Sequence, residues 1–231
     1  MKAFLLAAGH GTRLRPLTDS TPKCLLPVQG IPMLEIWLAI CRKYHIHEVL
    51  INVHAHARAV AEYLESHRNG VHVRIVEEQR LLGSAGTLVA NREWVDSEEC
   101  FWVFYGDVLT SANLSAMLRL HQSRNPAATL GVYRVSDPRR CGIVTLAPDG
   151  TVTDFVEKPS QPVSDLAFAG VMVGTPALLD AVPAQPVCDV GFDVLPRLAG
   201  QMLAYNITDY LIDIGTMQNY AAAQSTWPGL S

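Results

Sequence analysis

The feature that most constrains the fold is a regular alternation of strand-like and helix-like segments in the first half of the chain. Short runs of β-branched and aromatic residues alternate with stretches whose apolar residues recur at helical spacing. This alternation is typical of βαβ units, which build a mostly parallel sheet covered by helices. We predict strands over 3–8, 48–53, 71–76 and 100–105, and helices over 33–43, 57–67, 84–91 and 114–124.

From about residue 128 the pattern changes to that of antiparallel strands. The segment ATLGVYRV is followed by CGIVTLAPDGTVTDFVEKP, in which Pro148-Asp149-Gly150 is a turn signal between two alternating runs. Further helices are predicted over 175–181, 192–199 and 215–224. We therefore predict an α/β fold with a Rossmann-like, mixed but mostly parallel central sheet flanked by helices, to which the second half adds an antiparallel subregion. One domain over 1–231 is expected, with halves of about 1–125 and 126–231.

Composition excludes several classes of protein. The net charge of −4 shows no basic excess of the kind that binds nucleic acid through its phosphates. Five cysteines without a C-x-x-C pair indicate reduced thiols, and hence a cytoplasmic protein. The apolar run at the amino terminus is too short for the core of a signal peptide, and no segment has the apolar length that a membrane span needs.

The most informative short segment is LLAAGHGTRLRPLT, residues 5–18. A strand that ends in a Gly-x-Gly turn presents backbone N–H groups at the carboxyl edge of a parallel sheet, where open α/β folds bind ligands. Leu14 stands where a dinucleotide fingerprint needs its third glycine, and no Gly-Lys-Ser or Gly-Lys-Thr follows. Arg13 and Lys23 would bring two cations to one phosphate-sized space, unless both are ordinary solvated charges.

A longer stretch, LAAGHGTRLRPLTDSTPKCLLPV, resembles the signature of the sugar-1-phosphate nucleotidyltransferases, in which G-x-G-T-R is followed at a fixed distance by P-K. Further motifs occur in that family's order along nearly the whole chain: EEQRLLGSAGTL at 77–88, YGD at 105–107, CGIVTL at 141–146, VEKP at 156–159, FAGVMV at 168–173 and LIDIGT at 211–216. The resemblance implies a GT-A-like fold with a nucleotide-binding first half and a sugar-binding second half. It also implies transfer of a nucleotidyl group to a sugar 1-phosphate by a monomer or homodimer.

The resemblance assigns a role to each motif. It implies a catalytic role for Arg13, Lys23 and Lys158. Glu157, Gly142 and Gly170 would contact the sugar, although an exposed Glu-Lys pair and ordinary strand bulges are the alternatives. The implied nucleotide-binding residues are Leu6, Ala8, Gly9, Gly11, Thr12, Glu78, Gln79 and Gly83.

Two carboxylates at the ends of apolar runs are candidate ligands of Mg²⁺, which takes one or two carboxylates together with phosphate oxygens. Asp107 follows the strand CFWVFYG, and Asp213 lies within YLIDIGT. The alternatives are an Asx turn at Asp107 and a helix N-cap at Asp213, although Thr216 could fill the second role.

The base and the sugar are less constrained. An acidic acceptor such as Glu78 or Glu77 suits guanine, whereas Gln79 suits uracil or thymine. The run LGSAGT resembles the LGTAG of guanylyltransferases, which favours GTP with a mannose- or heptose-type 1-phosphate. The alternatives are UTP with N-acetylmuramic acid 1-phosphate, dTTP or UTP with glucose 1-phosphate, and a regulatory homologue without catalysis.

Two cysteines depart from the resemblance, and two histidines suggest a metal site. Cys24 follows Lys23 where proline or alanine is common, and we expect a small packing residue rather than a reactive thiol. Cys141 stands where tyrosine is frequent, which leaves one sugar contact in doubt. His54 and His56 have no third ligand in an evident motif, so we expect surface or helix-start residues.

Overall fold

The computed structural model describes residues 1–67 and 70–230, so that residues 68, 69 and 231 of the predicted domain lie outside it. The described residues form two compact units. The first unit takes them from Met1–Leu81, Phe104–Ala112 and Asp209–Ser231, and the second from Leu82–Val103 and Asn113–Thr208. Residues from three separate parts of the sequence therefore build the first unit.

The elements follow one another along the chain in an order close to the predicted one. The strands are β1 (Lys2–Leu6), β2 (Pro27–Val28), β3 (Ile31–Pro32), β4 (Glu48–Val53), β5 (His72–Glu77), β6 (Phe101–Tyr105), β7 (Val108–Thr110), β8 (Ala128–Arg134), β9 (Gly142–Leu146), β10 (Thr151–Glu157), β11 (Leu166–Gly174), β12 (Met202–Asn206) and β13 (Leu211–Asp213). The α-helices are α1 (Met33–Lys43), α2 (Ala57–Ser66), α3 (Ser84–Ala90), α4 (Leu114–Arg124), α5 (Pro176–Asp180) and α6 (Met217–Thr226).

A parallel sheet forms the centre of the first unit. β1 pairs with β4, and β4 pairs with β5, both in parallel register. The middle residues of β1 and β4 are fully buried, as expected for parallel strands that are covered on both faces. α1 buries an apolar face whose Trp37 stacks on Phe104 with ring centroids 4.6 Å apart. This sheet ends at the glycine turn and so fixes where the turn lies.

The first unit also contains a short antiparallel pair of strands that the sequence pattern did not predict. β7 pairs with β13 in the register Leu211↔Thr110, Ile212↔Leu109 and Asp213↔Val108. Because Asp107 directly precedes β7, this register brings the segments of Asp107 and Asp213 together.

The second unit contains a mixed sheet. β8 pairs with β11 in antiparallel and with β12 in parallel orientation, and β10 pairs in antiparallel orientation with both β12 and β9. The predicted hairpin is confirmed: β9 and β10 are joined through Pro148-Asp149-Gly150, with Gly150 at a positive φ of 86°. The two units thus confirm the α/β class with parallel strands in the first half and added antiparallel strands in the second.

Most predicted elements are confirmed within one or two residues, and the helical stretch predicted over 192–199 is present but is not a regular α-helix. The chain instead forms a π-helical turn at Val190–Val194 and a 3₁₀ turn at Leu195–Leu198. Asp189 accepts hydrogen bonds from the N–H groups of Gly191 and Phe192, and Pro196 has no N–H to continue a regular helix. None of the helices in residues 1–67 and 70–230 has the length and apolar character that a membrane crossing requires.

Candidate functional site

The predicted phosphate-binding turn follows β1 and is held by one backbone hydrogen bond and one side-chain hydrogen bond. Gly9 N–H donates to Ala7 O at 2.9 Å, and Thr18 Oγ1 donates to Gly11 O at 2.8 Å. Gly11 has φ of 62°, and a Cβ added there would lie 2.8 Å from Thr18 Cγ2. Glycine is therefore required at this position on both conformational and steric grounds.

The space beside Gly9 is different, because a Cβ added there would meet no atom within 4 Å. The backbone at Gly9 is thus open to the approach of a ligand. The chain then enters a 3₁₀ turn, Thr12–Leu14, that buries Leu14 and carries Arg13. Leu6 and Ala8, on either side of Ala7, are partly exposed at the end of β1.

Four charged residues from distant parts of the sequence converge in the first unit. Lys23 Nζ lies 2.6 Å from Asp107 Oδ2. A Cβ added to Gly215 would lie 2.7 Å from Asp213 Oδ1, 2.8 Å from Arg13 Nη2 and 3.1 Å from Lys23 Nζ. Arg13, Lys23, Asp107 and Asp213 therefore share one small space, which we call the charged cluster.

Backbone hydrogen bonds explain why the charged cluster forms. Gly106 N–H donates to Leu6 O at 2.8 Å, which ties the segment before Asp107 to the end of β1. Ile214 N–H donates to Asp107 O at 2.9 Å and continues the β7–β13 ladder. Lys23 reaches the same place from a 3₁₀ turn, Lys23–Leu25, whose buried anchor is Cys24.

Burial makes the charge of Asp213 costly. Desolvation raises the pKa of this carboxyl above its ordinary value, and the negative charge of Asp107 raises it further. Lys23, the Gly215 N–H and Arg13 oppose the shift, and Gly215 N–H donates to Asp213 Oδ1 at 2.6 Å. A bound cation would stabilise two carboxylates that repel each other in this way.

The donor set of the charged cluster fits Mg²⁺. Among the described residues there is no group of three or more His, Cys, Asp or Glu side chains that could hold a metal by themselves. Mg²⁺ commonly needs only one or two carboxylates, because phosphate oxygens and waters complete its coordination. Asp107 and Asp213 match this demand. The alternative role for Asp213 is excluded, since the N-cap of α6 is Thr216, whose side chain accepts from Asn219 N–H.

The predicted base-reading residues differ in exposure. Glu78 is buried, and its Oε1 accepts a hydrogen bond of 2.8 Å from Asn52 Nδ2. Glu77 and Gln79 are exposed on either side of it. His54 Nδ1 lies 2.6 Å from Glu78 O, so His54 has a structural partner. His56 is the residue before α2, which confirms the helix-start prediction.

The carboxylate of Glu157 lies beside the predicted Gly142 and beside Gly191, which the sequence did not predict. A Cβ added to Gly142 or to Gly191 would lie 2.5 Å from Glu157 Oε2. Lys158 has a positive φ of 49°, so the strand turns there and both side chains stay on the same side of the chain. Lys158 Nζ lies 3.6 Å from Glu157 Oε1 and 5.3 Å from the centroid of the Phe192 ring.

Burial raises the pKa of the Glu157 carboxyl, the nearby Lys158 ammonium lowers it, and the charge of Asp189 raises it again. Asp189 is held in turn by Ser84, whose Oγ donates to Asp189 Oδ2 at 2.9 Å. The predicted Glu-Lys pair is therefore a largely buried acid beside a more exposed base, rather than two solvated charges.

At two of the predicted glycines in the second unit, the backbone conformation explains why glycine is found there. A Cβ added to Gly83 would collide with the carbonyl oxygen of Cys188, and Gly83 has φ of 78°. Gly170 has φ of 68° at a register shift of β11, between Phe168 and Met172. The bulge expected as the alternative interpretation of Gly170 is present.

Sequence reasoning missed several residues that shape these sites. Asn52, Asp189 and Gly215 are the clearest cases. Asn52 is a buried amide in an otherwise apolar strand, which is a detectable signal. Asp189 gave no signal before its neighbours were known, and Gly215 lies within the LIDIGT motif but was assigned no role there.

The structure also explains Cys24. Its side chain is buried, and desolvation raises the pKa of the thiol to about 12. The expectation of a packing residue rather than a reactive thiol is confirmed, because a buried thiol of this kind stays protonated.

Comparison with known proteins gives one family. Residues 2–228 match the family model described as Nucleotidyl transferase. The chain is 31% identical over 226 residues to the mannose-1-phosphate guanylyltransferase catalytic subunit beta of Danio rerio, which covers 95% of this chain and 62% of the relative. It is 34% identical over 224 residues to a mannose-1-phosphate guanylyltransferase of Mycobacterium tuberculosis, which covers 94% of this chain and 62% of the relative.

The chain therefore spans less than two thirds of the length of these relatives. Among solved structures it is similar to a UDP-glucose pyrophosphorylase complexed with UDP-glucose. The TM-score is 0.85 at 21% identity, over 98% of this chain and 97% of the other. At this identity the likeness shows a shared fold.

Proposed function

Because the chain belongs to the nucleotidyl transferase family, we propose that it transfers a guanylyl group from GTP to a mannose- or heptose-type 1-phosphate, with mannose 1-phosphate preferred. An oxygen of the sugar phosphate forms a bond to the α-phosphorus, and the bond from that phosphorus to the bridging oxygen breaks. The products are a GDP-sugar and pyrophosphate. The names of the guanylyltransferase relatives support the choice of GTP and mannose 1-phosphate.

The single observation that carries this proposal is the charged cluster. Reactions of this kind need little covalent chemistry from the protein, and depend on aligning two anions and neutralising the charge on the leaving phosphates. Arg13 Nη2 and Lys23 Nζ lie 2.8 and 3.1 Å from the position of a Cβ added to Gly215. The open glycine turn belongs to the same unit.

The two cations have different parts in the proposed reaction. The planar guanidinium of Arg13 can grip two oxygens of the triphosphate, whereas Lys23 supplies a point charge at the α-phosphate. Because Lys23 is already paired with Asp107, its ammonium is held in place before the nucleotide arrives. The backbone from Leu6 to Thr12, including Ala8, Gly9 and Gly11, would line the phosphates.

Asp107 and Asp213 would hold Mg²⁺, which polarises phosphate oxygens and offsets their charge when it is bound. The remaining steps belong to the side chains of the protein. Arg13 and Lys23 orient the triphosphate, and Lys158 binds the phosphate of the sugar. Glu157 accepts hydrogen bonds from sugar hydroxyls, with the backbone at Gly142 and Gly170 close to the sugar.

Base recognition is proposed for the segment from Glu78 to Gly83. The Glu78 carboxylate is a suitable acceptor for the N1–H and N2–H₂ donors of guanine. The exposed Gln79 favours the second candidate, a uridylyltransferase acting on N-acetylmuramic acid 1-phosphate, because an amide matches the donor and acceptor pattern of uracil. Enzymes that use glucose 1-phosphate with dTTP or UTP are tested by the same experiment.

The testing experiment measures pyrophosphate release from GTP, UTP, dTTP, ATP and CTP, each with mannose, heptose, glucose and N-acetylmuramic acid 1-phosphates. We expect the highest kcat/KM with GTP and mannose 1-phosphate, and dependence on a divalent cation. A clear preference for UTP would replace the guanine assignment by the second candidate. Absence of release with every pair would favour a non-catalytic homologue.

We further propose that residues 1–231 act as a single catalytic domain, with nucleotide-binding residues in its first half and sugar-binding residues in its second. The extent of the family match, residues 2–228, is consistent with a single domain. The cytoplasmic location, the monomeric or homodimeric state and the absence of nucleic-acid and membrane partners remain predictions.

A further inference from the structure

We propose that Asn52 is a positioning residue for the guanine nucleotide, which holds the base-reading Glu78 and the start of the phosphate-binding turn in one fixed relation. This inference rests on the proposed function, because it gives Asn52 a part in the binding of GTP. It adds a residue that touches no reacting atom but acts through two segments that face the nucleotide.

The contacts of Asn52 carry the inference. Its Oδ1 accepts a hydrogen bond of 2.8 Å from Ala7 N–H, and its Nδ2 donates one of 2.8 Å to Glu78 Oε1. Asn52 is 4% exposed and Glu78 is 5% exposed. In the parallel registers, Asn52 lies opposite Leu6 on one side and opposite Val76 on the other. The side chain therefore bridges the ends of all three strands.

A buried amide in an apolar strand is costly unless both of its ends are paired, and here both are. An apolar residue would satisfy the core at this point, so the polar side chain is explained by what it joins. On one side it joins the first N–H of the turn that leads to Gly9, Gly11 and Arg13. On the other side it joins the carboxylate at the start of the segment predicted to hold the base.

Glu78 is held at two further points. Its N–H donates to Val53 O at 2.8 Å, and its carbonyl oxygen lies 2.6 Å from His54 Nδ1. The backbone of Glu78 is thus fixed to the end of β4, and Asn52 fixes the carboxylate itself. A hydrogen-bond acceptor fixed in this way can discriminate between bases, because a base without the matching donors does not form the hydrogen bonds that guanine would form with it.

The direction of the hydrogen bonds provides a sharp test. Ala7 N–H can only donate, so Oδ1 of Asn52 must face it and Nδ2 must face Glu78. Asn52→Asp keeps the acceptor for Ala7 but sets two carboxylates against each other. Adding Glu78→Gln to that variant restores a hydrogen bond of reversed direction, because the new amide can donate to the new carboxylate at position 52.

The experiment compares wild type, Asn52→Asp, Glu78→Gln and the double variant as a double-mutant cycle. The readouts are KM for GTP, KM for mannose 1-phosphate, kcat, calorimetric binding of GTP alone, and Tm. Relative to wild type, we expect Asn52→Asp to raise KM and Kd for GTP at least about tenfold. Relative to the Glu78→Gln single variant, we expect the same change to raise them less than about threefold. The matched control is Asn91→Asp, since the Asn91 amide donates locally, to Thr87 O four residues earlier.

A structural role alone would give different results. Equal losses from Asn52→Asp with and without Glu78→Gln, or equal increases in KM for GTP and for mannose 1-phosphate, would overturn the proposal. Should Asn52→Asp not fold, Asn52→Ser provides the same comparison, because its short side chain cannot reach both partners. An unchanged KM for GTP in a folded Asn52→Ser protein would also overturn the proposal.

Failure of the proposed function is a separate result. If the wild type releases pyrophosphate from UTP but not from GTP, the guanine assignment fails, and the same cycle is measured with UTP. Coupling between positions 52 and 78 would then show a positioning role toward a different base, which contradicts the guanine form of the inference. If GTP is used and no coupling is found, the inference on Asn52 fails by itself.

Discussion

Lys23 and Asp107 form an ion pair with 2.6 Å between Nζ and Oδ2, although 84 positions separate them in the sequence. The pair is partly buried in the first unit, where the Lys23 side chain is 13% exposed and that of Asp107 is 30% exposed. Asp213 Oδ1, Arg13 Nη2 and Lys23 Nζ all lie within 3.1 Å of the position that a Cβ added to Gly215 would take. We therefore expect activity to respond most strongly to substitutions that alter the charged cluster of the first unit or the Glu157 carboxylate of the second.

Arg13→Ala is expected to lower kcat by at least about a hundredfold, because the charge on the leaving phosphates loses its guanidinium partner. Steady-state rates of pyrophosphate release check this value. Arg58→Ala is the control, since the Arg58 side chain is 90% exposed and forms a local ion pair with Glu62, four residues later. Near-normal turnover of a folded Arg13→Ala protein would remove Arg13 from the catalytic residues.

Asp107→Asn and Asp213→Asn are each expected to raise the Mg²⁺ concentration needed for half-maximal activity, because each removes one ionised ligand. Chelator should abolish the activity of the wild type, and added Mg²⁺ should restore it. Asp209→Asn is the control, as an exposed carboxylate four residues before Asp213. A variant of Asp107 or Asp213 with the Mg²⁺ dependence of the wild type would show that its carboxylate is no ligand.

The base preference is expected to exceed about tenfold in kcat/KM for GTP over UTP and dTTP, because these bases lack the N1–H and N2–H₂ donors that the Glu78 carboxylate would accept from guanine. Inosine triphosphate lacks the N2 amine and should lie between them. Glu78→Gln should reduce the preference more than it reduces the overall rate. If UTP is the best substrate and Gln79→Ala is the damaging change, Gln79 reads the base instead.

Gly191→Ala is expected to raise KM for the sugar phosphate and to leave KM for GTP unchanged. The added Cβ would lie 2.5 Å from Glu157 Oε2 and would displace the carboxylate. Gly174→Ala is the matched control, because its Cβ would press on the Leu178 side chain at 2.5 Å, away from Glu157. Both variants should lower Tm, but a change in KM for the sugar phosphate is expected only from Gly191→Ala.

The free energy of unfolding is expected to decrease as the pH is lowered from about 6.5 to about 4, where His121 is neutral in the folded protein but protonated in the unfolded chain. Burial lowers the pKa of His121 from 6.5 to about 4, and its Nε2 has no hydrogen-bond partner among the described residues. In the unfolded chain the imidazole binds a proton at the higher pH, so stability present above pH 6.5 is lost progressively toward pH 4.

Urea unfolding of wild type and His121→Gln at several pH values checks this. The free energy of unfolding of the wild type should decrease relative to that of the variant as the pH falls from 7 to 4, since glutamine does not titrate. The exposed His72→Gln serves as control and should track the wild type. Parallel pH profiles of wild type and His121→Gln would contradict the assignment.

The local elements were predictable because their signals lie within a few residues. The helices Met33–Lys43 and Leu114–Arg124 and the strand Glu48–Val53 occur with the predicted bounds. Their apolar periodicity reflects which face of each element is buried. The π and 3₁₀ form of the helical stretch predicted over 192–199 was not predictable, since the side chain of Asp189 and the ring of Pro196 redirect the hydrogen bonds there.

The sequence by itself determined the α/β class, the glycine turn with its arginine, and the types of charged side chain at strand ends, because periodicity and local turn chemistry are encoded by neighbouring residues. Only the tertiary structure decided which of those side chains meet. The register of β7 with β13 brings Asp213 to Asp107, and the parallel registers around β4 bring Asn52 to Ala7 and Glu78. These partners of Asn52 lie 45 and 26 positions away from it, and Lys23 lies 84 positions from Asp107. Pairings of that range depend on how whole strands pack, which no local pattern specifies.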